Sequence, residues 1–151
     1  MIYKLKEMEY SDIRERCFPI LAHGTFEGRH FFILSISGNH PCAYVEEFRN
    51  EDFYFDRRLG EIVHGGITFQ NSLSHVIGYY GEPSDKKIDS NLCRTYIGWD
   101  YDHYGDYAPY REGIYPENFI ELKKWSVDEI LEEIKEAIHY MNYARKGRKK
   151  Q

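Results

Sequence analysis

Apolar residues recur towards the end of the chain at Val127, Ile130, Leu131, Ile134, Ala137, Ile138, Met141 and Ala144. Steps of three and four place them on a single stripe of an α-helix, so the pattern predicts a helix with one buried face. Ser126-Val127-Asp128-Glu129 supplies its start as a capping box, in which the Ser126 hydroxyl accepts from the N3 amide and Glu129 reaches back. Acidic residues crowd the first turns and basic ones the end, as the helix dipole prefers, and Gly147 is the expected stop.

Upstream the period changes. His30-Phe31-Phe32-Ile33-Leu34-Ser35-Ile36 is a β-rich run, followed by the turn formers Ser37-Gly38-Asn39-His40-Pro41 and a second run, Cys42-Ala43-Tyr44-Val45-Glu46-Glu47-Phe48. This order predicts a β-hairpin. Ile62-Val63 and Ile67-Thr68-Phe69 read as short extended pieces kinked at Gly65-Gly66, and Arg94-Thr95-Tyr96-Ile97-Gly98-Trp99 reads as a strand that delivers Asp100 at its end. Residues 49–60 and 78–92, rich in charge and turn formers, read as loops, and Gly81–Lys87 as an exposed connection. Ser11–Arg16 is a candidate for a short helix. Strands first and one strong helix last predict an α+β fold, a mostly antiparallel sheet with a long C-terminal helix packed on one face. The expected organisation is one globular domain over residues 1–145 and a basic, flexible tail over 146–151.

Composition adds limits to this picture. A chain of 151 residues with 17% aromatics, including 14 Tyr, has ample material for a core, and tyrosines also suit half-wet pocket walls and interfaces. The formal charge of −5 argues against general nucleic-acid binding, which needs a net basic face. Cys17, Cys42 and Cys93 form neither a CxxC pair nor an even disulfide set, which points to a reducing compartment. No apolar signal core or membrane-length apolar run is present, so the expected location is the cytoplasm, without a membrane partner.

Candidate chemistry gathers in Gly98-Trp99-Asp100-Tyr101-Asp102-His103-Tyr104-Gly105-Asp106, together with His64-Gly65-Gly66-Ile67-Thr68. Three roles are open to these residues. His64, Asp100, His103 and Asp106 are carboxylate and imidazole ligands of the kind that hold a divalent metal. Alternatively they bind another polar ligand, with His103 as a general base held by Asp100 or Asp106, and with His64, Gly65, Gly66, Thr68, Trp99 and Tyr107 as contacts. In the third role Asp100 and Asp106 only cap local amides, while Gly105 takes a positive φ. Gly65-Gly66 either brings amides close to an anion or bends the chain.

Gly38-Asn39-His40-Pro41 with Ala43-Tyr44-Val45, then Val63-His64-Gly65-Gly66-Ile67-Thr68, then Ile97-Gly98-Trp99-Asp100 with His103, Gly105, Asp106 and Tyr107, and finally the capped helix, form an ordered series of landmarks over about residues 30–145. In this series the chain resembles a family of small bacteriophage and prophage proteins with HGG(I/L)T and G(W/F)DxxHxGD(Y) motifs. No biochemical activity comes with that resemblance. It implies a virus-borne accessory role in the cytoplasm of a bacterial host, of the host-takeover or counter-defence kind. The chain also looks longer than the family pattern between Phe69 and Arg94. Two functions follow as expectations: a non-catalytic binder of a nucleotide-like metabolite or a host protein, and, as the alternative, a small metal-dependent hydrolase of phosphoester-like substrates. Abundant tyrosine also allows a homodimer.

Overall fold

The computed structural model describes residues 1–11, 15–80, 91–111 and 121–149. Six strands, β1 (Ile2–Lys4), β2 (Ile20–Phe26), β3 (Arg29–Ile36), β4 (His40–Glu46), β5 (Phe69–Ser72) and β6 (Thr95–Asp100), form one sheet in the order β1-β2-β3-β4-β6-β5. Every neighbouring pair is antiparallel. The helices are α1 (Arg57–Ile62), α2 (Leu73–Tyr80) and α3 (Val127–Lys149), with a 3-10 turn at Pro109–Arg111. The α+β architecture expected from the sequence is therefore present, and no helix among the described residues is long and apolar enough to cross a membrane.

The predicted hairpin forms from β3 and β4. Phe31 lies opposite Val45 and Phe32 opposite Tyr44, so the two runs sort their side chains onto opposite faces of the sheet. On the first face Phe31, Ile33, Ala43, Val45, Ile97 and Trp99 meet α3. That helix contributes Val127, Ile130, Ile134, Ile138 and Met141, all fully buried, each adding about 1.5–3 kcal/mol of burial. Its capping box closes reciprocally: the Glu129 amide donates to Ser126 Oγ at 3.2 Å and the Ser126 amide to Glu129 Oε1 at 3.0 Å. A register shift between Ile20 and Ala22 in β2 turns both Leu21 and Ala22 towards this face.

The second face is covered as well. Phe32, Leu34, Cys42, Tyr44 and Tyr96 point away from α3 and pack with Phe18, Ile20, Leu92, and Leu73 and Val76 of α2. A sheet buried on both faces explains why β3 reads as a nearly continuous apolar run rather than a strict alternation.

Several local expectations are corrected. Residues 57–62, expected as loop and extended chain, form α1, capped by Asp56, whose Oδ1 accepts from the Leu59 amide at 3.0 Å. The short β5 begins only at Phe69, and the 78–92 stretch opens on the last turn of α2. The exposed connection at Gly81–Lys87 and the middle of the Ser11–Arg16 candidate helix lie outside the described residues. Gly147 does not stop α3, which continues to Lys149; an exposed helical glycine costs only about 1 kcal/mol relative to alanine.

Candidate functional site

Strand β6 ends at Asp100, and the chain then folds through Tyr101–Asp106 in a tight turn closed by the Asp106 amide donating to His103 O at 2.9 Å. Gly105 takes φ +93°, a conformation costly for any side chain. The turn is tied to the approach to α3, since Lys123 N–H donates to Gly105 O and Tyr107 N–H to Lys123 O, both at 2.8 Å. Arg111 holds it from outside, its guanidinium donating to the carbonyls of Asp102 (2.8 Å), Asp106 (3.1 Å) and His103.

Asp106 is the centre of a buried network on the α3 side. Its carboxylate, 3% exposed as a residue, faces His64 Nε2 at 2.7 Å and accepts from the His103 amide at 2.9 Å and Trp125 Nε1 at 2.8 Å. The His64 ring stacks on Tyr101, centroids 5.1 Å apart and planes 5° from parallel. Its own amide donates to Glu133 Oε1 on α3 at 2.6 Å, and the same oxygen accepts from the Tyr101 hydroxyl at 2.9 Å. Trp99 Nε1 in turn donates to the Tyr101 oxygen at 2.9 Å. Burial, then the Glu133 carboxylate, pushes the Tyr101 hydroxyl far above its usual range, so it stays a donor. This chain of bonds engages both Asp106 oxygens, His64 Nε2, the Tyr101 hydroxyl and Glu133 Oε1 within the protein.

Gly65 and Gly66 bend the chain at this network. Both have positive φ, +70° and +86°, and a Cβ on Gly65 would lie 2.0 Å from His103 Nε2. The glycine pair therefore lets the His103 ring lie against backbone, and the Gly66 amide is spent on Val63 O at 3.3 Å. His103 Nε2 lies 3.2 Å from Asp100 Oδ1 without hydrogen-bond alignment.

The four proposed ligands thus separate into two pairs, His64 with Asp106 and His103 with Asp100. Among the described residues no three His, Cys, Asp or Glu side chains are grouped to hold a metal ion. Of the other candidates, Tyr107 packs edge-on against Tyr10 (5.0 Å) and beneath Lys124 Nζ (4.4 Å), the Trp99 indole belongs to the network just described, and Thr68 belongs to a different feature.

That feature is a cavity of about 400 Å³ on the opposite side of the sheet, under α2. Asp100 turns that way because it sits opposite Cys42 in the β4–β6 register, and Thr68 Oγ1 donates to its Oδ2 at 3.3 Å. Tyr44 and Phe69 form one wall, edge to face at 5.3 Å. Gly98 makes room for it: a Cβ there would come within 2.6 Å of the Tyr44 ring. His40, Cys42 and His75 add polar groups and Val76 an apolar one, and Trp99 borders the cavity from the sheet while its indole lies on the α3 face.

His40, Cys42 and Asp102 have the outline of a thiol–imidazole–carboxylate relay, with Cys42 Sγ 3.6 Å from His40 Nδ1 and His40 Nε2 3.8 Å from Asp102 Oδ2. The protonation states oppose it. Burial, then the Asp100 carboxylate, pushes the Cys42 thiol well up. His40 Nδ1 also lies 3.2 Å from Pro41 O, an acceptor, so a bond there places the ring proton on the nitrogen that would have to take one from sulfur. Asp102 is engaged by Arg111 Nη2 at 3.1 Å and by the Tyr110 hydroxyl at 2.5 Å. The arrangement makes a polar floor rather than an activated nucleophile.

The cavity residues His40, Cys42, Tyr44, Phe69 and His75 were not among the candidates drawn from sequence, and neither were Arg111, Trp125 and Glu133. For His40, Cys42 and Tyr44 a signal existed, since alternate residues of a strand share a face. Compared with protein-family models, with curated proteins and with solved structures, the chain matches none.

Proposed function

We propose that this protein is a non-catalytic binder of a small planar metabolite, held in the cavity between β4–β6 and α2. The observation that carries this reading is the cavity itself: about 400 Å³, walled by Tyr44 and Phe69 and floored by Asp100, His40 and Cys42. Apolar walls with a few convergent polar groups are the usual make-up of a small-molecule site, and a volume above about 300 Å³ is within the usual range. Aromatic walls favour a flat ring, and the polar floor offers hydrogen bonds to its edge. The part of a nucleotide-like metabolite that suits this lining is the base. No described lining residue is a lysine or arginine that would hold a phosphate. Under the resemblance to bacteriophage proteins, such binding serves a virus-borne accessory role in a bacterial host.

The metal-hydrolase reading needs four converging ligands, and His64 and Asp106 instead spend their polar atoms within a buried network. The binder reading is tested by thermal-shift screening of nucleobases and nucleosides against wild type and Thr68→Trp, a substitution at an exposed position that fills the cavity mouth. The expected result is a ligand that raises the wild-type melting temperature, survives incubation unchanged and leaves T68W unaffected. Hits that stabilise both proteins equally, or chemical conversion of the ligand, would contradict it.

A further inference from the structure

The charges around the cavity are one-sided. Asp100 contributes a carboxylate, and among the described residues its ion-pair partner is an imidazole, His103, rather than a lysine or arginine. Asp102 stands behind His40 at 3.8 Å, but Arg111 offsets its charge. The remaining polar lining consists of His40, His75, Cys42, Thr68 and Tyr44, none of which carries a fixed positive charge. Two aromatic side chains, Tyr44 and Phe69, present π systems to the same space.

From this arrangement we infer that the cavity selects a planar organic cation, such as an N-alkylated or protonated heterocycle, over neutral and anionic molecules of the same shape. The inference rests on the binder reading above and names its ligand class. A carboxylate in a partly desolvated cavity attracts a cation more strongly than it would in water, and aromatic faces add to that attraction through their quadrupoles. An anion would meet Asp100 with no compensating cation among the described lining residues.

Calorimetric titration with 1-methylnicotinamide, nicotinamide and nicotinate tests this with one ring and three charges. The expected order is cation, neutral, anion, with at least about tenfold between the first and the last. Asp100→Asn keeps the side-chain shape and should collapse the cation-to-anion ratio to within about twofold. Rising salt gives a second reading on wild type alone, weakening the cation and leaving nicotinamide unchanged. Equal binding of all three, or tighter binding of nicotinate, would overturn the charge selection and leave the cavity reading standing. Binding by none of them would overturn both.

Discussion

The two faces of the sheet both bury polar side chains, and they treat them differently. On the α3 side, Asp106, His64, Tyr101, Glu133, Trp99 and Trp125 bond one another at 2.6–2.9 Å. On the α2 side, Asp100, His40, Cys42 and His75 line open space, with looser contacts of 3.1–3.8 Å among the first three and their neighbours. A polar atom already bonded within the protein has less to offer a ligand, whereas one facing a cavity keeps that capacity. The contrast favours an architectural role for the conspicuous Asp106 centre and supports the binding proposed for the quieter face.

The largest expected effect breaks the α3 side. Asp106→Ala leaves the His64 ring, the His103 amide and the Trp125 indole without their acceptor, which should cost about 3–4 kcal/mol, read as a lowered denaturant midpoint. A loss below about 1 kcal/mol would show that the network is not holding the fold. Next is Gly65→Ala, where positive φ and the clash with His103 should cost about 2 kcal/mol in the same assay.

Acid probes the same side through Arg29, whose guanidinium is fully buried, pairs with Glu51 at 2.7 Å and donates to Asn142 of α3 at 2.8 Å. Burial alone would raise the Glu51 carboxyl, but the Arg29 and Phe48 hydrogen bonds and the Arg29 and Arg145 charges outweigh it and hold it below its ordinary 4.5. Its contribution is therefore present above 4.5 and lost as pH falls through the lowered value. Unfolding midpoints followed down to about pH 3 should drop more steeply in wild type than in Glu51→Gln. Parallel curves would remove Glu51 from the account.

The smallest effect sharpens the α2 side: Asp100→Asn should change stability by less than about 0.5 kcal/mol, because the amide oxygen can still accept from the Asp102 amide. A loss comparable to that of Asp106→Ala would make Asp100 a second structural centre and erase the contrast.

The parts legible in the sequence are those whose signal is local. The α3 stripe and capping box, the β3–β4 hairpin and the strand into Asp100 each declare themselves within a few residues. Helix α1 buries only Leu59 of its six residues, too little for a stripe, and the described part of α2 offers the core just Leu73 and Val76. The site was half legible. The glycines and aspartates around His103 do mark an unusual turn, but His64 meets Asp106 across 42 residues and Glu133 across 69, and no spacing rule spans such distances. Asp100 faces the cavity through its pairing with Cys42, a consequence of register that neither segment shows alone.

The most direct test of the division between the faces is an NMR titration of the labelled protein with 1-methylnicotinamide, following every backbone amide. The account predicts shifts concentrated at His40–Tyr44, Thr68–Val76 and Trp99–Asp100, with His64–Gly66 and His103–Tyr107 little changed. Shifts centred on His64, His103 and Asp106, with the cavity amides silent, would contradict it.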